Sequence, residues 1–142
     1  MTAKMGVNDG LLNSSQIFEG ITFKMGQELE IRVRPHDDCN RFMIDIGHDP
    51  ENLAMHFNPR FNTNIIVCNS LSGGHWGEEH HEGFFPFVRG EEGKLYINFN
   101  SKQFYIKLPD GTMMNFPNRL GDVKYQFIKV HGGAEIVGFK LE

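Results

Sequence analysis

Along most of the chain, apolar residues recur at every second position rather than every third or fourth. Ile21 and Phe23 alternate with polar neighbours in "GITFKMG", Leu29, Ile31 and Val33 in "QELEIRVRP", and Phe42, Ile44 and Ile46 in "NRFMIDIG". The segments "NIIVCN", "FFPFV", "KLYINFN", "QFYIKLP", "YQFIKVHG" and "AEIVGFKLE" continue the pattern. A period of two sends successive side chains to opposite faces of a strand, so each segment reads as half core and half outer surface. Turn-forming runs such as "GEEG", "FNSKQ", "PDGT" and "GG" separate the segments. About ten or eleven short strands, with no amphipathic helix among them, predict an all-β protein built as an antiparallel sandwich or barrel.

One strand breaks the pattern. In "AMHFNPRFN" the residues His56, Asn58 and Arg60 fall at i, i+2 and i+4 and project from one face, with Ala54 in phase before them. Met55 and Phe57 then point into the core. Pro59 removes a ladder donor, which predicts an edge or a bulge there. In "NIIVCN", Ile65, Val67 and Asn69 share one face and Ile66 and Cys68 the other, so an amide ends an apolar row. The single tryptophan, Trp76, lies in "SGGHWGEEHHEG" with no apolar neighbour, and this favours an exposed ring over a core position. Glu79 and His81, two apart, share a face, and Gly77 lets the chain turn between them and Trp76.

Histidine, asparagine and arginine together offer an acceptor or donor, an amide with both, and a rigid fork of donors, a set suited to vicinal hydroxyls. A solvated outer face carries similar residues, so spacing alone leaves both readings open. His75, His80, His81, Glu78 and Glu79 include zinc-capable groups, but there is no HExxH spacing, and neighbours on a strand point to opposite faces. No metal and no other cofactor is expected. A glycosidase needs two carboxyls facing each other across the bond, and Glu79 has no such partner, so no enzyme is expected.

Composition narrows the rest. A chain of 142 residues fits one domain, here residues 17–142, after a polar, glycine-containing extension over residues 1–16. The net charge of −4, from 14 Lys and Arg against 18 Asp and Glu, leaves no basic run for a phosphate backbone, so nucleic acid is not an expected partner. No stretch approaches the length of an apolar span, and no membrane insertion is expected. The start lacks the apolar run of a signal peptide, which points to cytoplasmic synthesis. Cys39 and Cys68, too few for a disulfide scaffold, are read as reduced thiols.

The runs "HFNPRF" (His56 to Phe61), "VCN" (Val67 to Asn69) and "WGEE" (Trp76 to Glu79), with "FPF", "IKLPDG" and "FPNRLG", together resemble a galectin carbohydrate-recognition domain from about Ile17 to Glu142. The likeness is nearest to the single-domain prototype members. It implies a two-sheet jelly-roll sandwich that binds β-galactoside glycans and glycoproteins on its concave face, with no metal. By the family's pattern, His56, Asn58 and Arg60 serve the axial 4-hydroxyl of galactose, Asn69 the 6-hydroxyl, and Trp76 the apolar face of the ring. Glu79 accepts from galactose and the next sugar while orienting Arg60. Prototype members commonly form homodimers through their terminal strands, cross-link glycans and agglutinate cells, and leave the cytoplasm by a route outside the secretory pathway.

The sequence departs from that pattern twice. His81 stands where many relatives carry an arginine two residues after the glutamate, and it is the candidate for the second-sugar contact. The connection "FNTN" after Arg60 is also short, trimming one wall of the groove. The second reading is therefore a galectin-fold protein with lost or altered sugar specificity, acting as a structural or interaction protein.

Overall fold

The computed structural model describes residues 4–9 and 14–142, with side chains from Ser15 onward. Residues 1–3 and 10–13 of the expected extension lie outside the described residues. Among the described residues there are fifteen strands. They are β1 (Lys4–Asp9), β2 (Ser14–Glu19), β3 (Phe23–Lys24), β4 (Leu29–Pro35), β5 (Phe42–Asp49), β6 (Asn52–Arg60), β7 (Ile65–Ser72) and β8 (His75–Trp76). There follow β9 (His80–Glu82), β10 (Gly93–Phe99), β11 (Gln103–Lys107), β12 (Met113–Pro117), β13 (Lys124–Tyr125), β14 (Phe127–Gly132) and β15 (Ala134–Leu141). One sheet has eight strands in the order β1-β2-β14-β5-β6-β7-β8, with β9 also on β7. A second has five, β12-β11-β10-β4-β15, and β13 pairs with β3 as a short ribbon. The period of two left a sandwich or a barrel open, and the all-β, two-sheet antiparallel sandwich implied by the resemblance is what forms.

The core lies between the sheets, where the alternation predicts it. Leu29, Ile31 and Val33 of β4 and Leu95 and Ile97 of β10 meet Ile44 and Ile46 of β5, Met55 and Phe57 of β6, and Ile66 and Cys68 of β7, all fully buried. Each such side chain contributes about 1.5–3 kcal/mol by leaving water. Aromatic edges lock the ends: Phe42 meets Phe87 at 5.3 Å and Phe23 meets Phe99 at 4.9 Å, both edge to face. Cys39 and Cys68 are buried free thiols. Desolvation pushes Cys39 up to about 11 and moves Cys68 in the same direction.

Three local expectations are corrected. The segment "FFPFV" is not a strand: it runs as a loop between β9 and β10, and its alternation reflects Phe85 and Phe87 packing on the core from that loop. Strand β6 is interior, paired with β5 on one side and β7 on the other, so Pro59 does not mark an edge. Extending the β5–β6 register places Pro59 opposite Phe42, whose carbonyl finds no N–H there; the Asn58 side-chain amide donates to it instead, at 3.0 Å. The bulge lies earlier, where the register of β6 shifts between Leu53 and His56. It reverses the phase, so Ala54 joins Met55 in the core and does not continue the polar row.

Candidate functional site

The outer face of the eight-stranded sheet carries the polar rows. His56 and Asn58 of β6 lie directly across from Asn69 and Val67 of β7, and Val67 in turn pairs with His81 of β9. Strand β8 folds back on β7 through Leu71 and Trp76. Together Arg41, His56, Asn58, Arg60, Val67, Asn69, Trp76, Gly77 and Glu79 line an open cleft of about 450 Å³. Six of the seven residues singled out in the sequence therefore meet at one cleft. The seventh, His81, lies outside that lining, across from Val67 on β9, and contacts Glu79.

Each side chain is held by a neighbour. Asn58, buried, uses its amide donor on Phe42 and its carbonyl to accept from Arg60 Nε at 3.0 Å. His56 Nδ1 lies 2.5 Å from Asp45 Oδ1. An ionised carboxylate only accepts, so this nitrogen carries the proton and Nε2 is left as an acceptor toward the cleft when the ring is neutral. Burial works against the ionised form of Asp45, but the bonds and charges of His131 and His56 outweigh it and hold its carboxyl below the ordinary value. Trp76 is 54 % exposed, with its ring centroid 4.8 Å from that of His56 at 58°. The exposed ring expected from its polar flanks is present.

Glu79 Oε2 is 3.8 Å from Arg60 Nη2, an ion pair without a hydrogen bond, while His81 Nε2 donates to Glu79 Oε1 at 3.0 Å. The bond from His81 is the main cause that holds the Glu79 carboxyl below its ordinary range, ahead of the Arg60 charge. The carboxylate thus belongs first to His81 and only loosely to Arg60.

Sequence reasoning missed Arg119, Asp45, His131 and Arg41. Arg119 Nη1 donates to Asn69 Oδ1 at 3.1 Å and Ser70 Oγ at 3.0 Å, and its Nη2 donates to the Glu78 carbonyl at 2.7 Å. The preceding Asn118 is a buried hub that donates to the carbonyls of Asn100 and Asp122 and accepts from the Tyr125 hydroxyl, so the arginine leaves a rigid base. Asn69 donates to the Gly77 carbonyl at 2.9 Å and is clamped from both ends. Gly77 has no positive φ, so a turn is not what requires glycine there. A Cβ at this position would stand 2.8 Å from Arg119 Nη1 and 3.1 Å from Ser70 Oγ, and space for Arg119 is the reason. The motif "FPNRLG" was the one signal for Arg119 in the sequence, and it carried no chemistry by itself.

Among the described residues no group of three His, Cys, Asp or Glu is placed to hold a metal ion. What the cleft offers is a flat exposed ring beside fixed donors and acceptors, the arrangement of a sugar-binding protein. The chain belongs to the galectins: the galactoside-binding lectin family matches residues 15–141. These are lectins and not enzymes. The chain is 43% identical to galectin-2 of Mus musculus over 122 residues, covering 86% of this chain and 93% of that one. It is 40% identical to the beta-galactoside-binding lectin of Electrophorus electricus, covering 87% and 95%. The solved structure of lactose- and MES-liganded congerin II superimposes with a TM-score of 0.86 at 32% identity, covering 89% of this chain and 98% of that one.

Proposed function

We propose that the protein is a lectin that binds terminal β-galactosides of the lactose and N-acetyllactosamine type and cross-links them as a homodimer. The observation that carries the reading is the exposed Trp76 ring standing over a cleft whose floor holds His56, Asn58 and Arg60. The axial 4-hydroxyl of galactose leaves one ring face as a patch of C–H groups that an indole covers. Roughly 60–80 Å² of apolar area contributes about 1.5–2 kcal/mol. The hydroxyl donates to His56 Nε2 and accepts from the Arg60 guanidinium. An equatorial epimer leaves both unpaired, which is the source of selectivity. Asn69 takes the 6-hydroxyl. Glu79 and His81 face the second sugar.

Support for the dimer comes from β15. It is an edge strand of the five-stranded sheet, and Ile136, Val137, Phe139 and Leu141 along it are only partly covered. Its alternation is interrupted by a bulge between Ile136 and Gly138, but nothing along the strand removes a ladder donor. Two copies joined there carry clefts directed apart and agglutinate cells. The protein is made in the cytoplasm and also acts outside the cell after export by a non-secretory route.

Retention on immobilised lactose and elution by free lactose test the reading. Passage without retention at neutral pH overturns it in favour of the interaction-protein alternative.

A further inference from the structure

The buried carboxylate of Asp45 serves two imidazoles. Its Oδ1 meets His56 Nδ1 at 2.5 Å and its Oδ2 meets His131 Nε2 at 2.7 Å. Asp45 is 5 % exposed, and these two histidines are its ion-pair partners among the described residues. His56 lines the cleft; His131 does not, and lies on β14, across β5 from the strand that carries His56. The proposed sugar site has no use for it.

One carboxylate between two imidazoles couples their protons. When either ring takes a proton its charge neutralises Asp45, and the other ring then loses the anion that would favour a second proton. The two rings differ in what a bound sugar demands of them. A galactoside whose hydroxyl donates to His56 Nε2 requires that ring neutral, and puts nothing on His131. We infer that His131 is a positioning residue that takes the proton in place of His56, so that galactoside binding in the cleft and protonation of His131 favour each other through Asp45. This rests on the lectin reading above. Linkage makes the effect reciprocal: sugar raises the proton affinity of His131, and a protonated His131 keeps His56 in the accepting form as pH falls.

The other charged groups around the trio are shared by both states. Lys129 lies two residues before His131 and directly across from Asp45, and forms no ion pair among the described residues. Met43 of β5 and Ser15 of β2, which pair with His131, carry no charge. Arg41 lines the cleft, and Arg60 and Glu79 face His56. His81, bonded to Glu79, is the other imidazole on this side of His56, and it is present alike in the two proteins compared below.

The test is a histidine titration by nuclear magnetic resonance, with ring nitrogens read in the full-length protein with and without saturating methyl β-galactoside. Wild type is compared with His131→Gln, which keeps a neutral donor for Asp45 but cannot take a proton. With sugar, the His131 midpoint is expected to rise by about 0.5 pH unit, the shift of a threefold coupling, and that of His56 to fall. Between about pH 7.5 and 5.5, His131→Gln loses about threefold more affinity for methyl β-galactoside than wild type. In the sugar-free protein the His56 midpoint is higher in His131→Gln than in wild type. A His131 midpoint unmoved by bound sugar, or parallel pH profiles in the two proteins, overturns the inference. Failure to bind sugar at pH 7.5 overturns the lectin reading instead. The coupling of the two rings is then judged by the sugar-free midpoints, equal values refuting it.

Discussion

Asn69 and Arg119, fifty positions apart in the chain, meet at 3.1 Å, and this contact ties β7 of the eight-stranded sheet to the segment that follows β12 of the five-stranded one. The guanidinium reaches Asn69, Ser70 and the Glu78 carbonyl at once, so it sets where Gly77 and Glu78 run. Replacing Arg119 by Met keeps an unbranched apolar chain but removes the three bonds and the guanidinium that lies over the Phe116 ring. Affinity for lactose is expected to fall about tenfold, with the protein still folded, because hydrogen bonds from a charged group are each worth about 1.5–3 kcal/mol before solvent screening. Gly77→Ala pushes on the same guanidinium and should give the same loss. Calorimetry of both variants checks it, and wild-type affinity in both removes Arg119 from the site.

Trp76 is the one tryptophan, so emission reports on the cleft alone. Lactose should shift or quench it. Trp76→Leu loses the stacking surface and about 1.5–2 kcal/mol, a factor of roughly ten to thirty in affinity. An unchanged spectrum at saturating lactose together with unchanged binding in the variant removes the ring from recognition.

His81 and Glu79 form a half-exposed pair, which limits what the contact contributes. His81→Arg restores a permanent planar fork beside Glu79. It should raise affinity for N-acetyllactosamine by about 0.5–1 kcal/mol while leaving galactose unchanged. In wild type, disaccharide affinity relative to galactose should rise as pH falls from about 8 to about 6, since protonation places a cation beside the carboxylate. Equal gains for both sugars in the variant would assign His81 no part in the second-sugar contact.

Asp45 links stability to acid. Its carboxyl is lowered in the folded protein from an ordinary 3.8, so the stability it contributes is fully present above that value and is lost as pH falls through the lower, folded value. Denaturation should therefore steepen below about pH 4. Asp45→Leu removes this step but strands two imidazole N–H groups, and is expected to cost about 1–3 kcal/mol at neutral pH. Urea titrations of both proteins at pH 7 and pH 3 separate the outcomes. A variant as stable as wild type at pH 7 contradicts the assignment.

Assembly is open to a direct measurement. Light scattering at micromolar concentration should give twice the mass of one chain. Val137→Glu, a charge on the β15 edge, should restore the monomer without weakening lactose binding. A monomeric wild type rejects the dimer.

The period of two in "QELEIRVRP", "NRFMIDIG" and "KLYINFN" was enough to assign strands and their buried faces, because alternation is a local consequence of strand geometry and needs no knowledge of partners. The rows His56-Asn58-Arg60 and Val67-Asn69 were legible for the same reason, and the polar flanks of Trp76 disclosed its exposure. Ala54, Pro59 and Gly77 were misread because their surroundings are not local. A bulge reverses the phase at Ala54, Phe42 on another strand faces Pro59, and an arginine from the far end of the chain fills the space beside Gly77. Asp45 illustrates the limit most clearly. In "MIDIG" it is a polar residue interrupting an apolar run, and only strand order, which sets β5 between β6 and β14, gives it one histidine from the next strand and one from 86 positions away to hold. Alternation determined which residues face outward; the pairing of strands remote in sequence decided which of them touch.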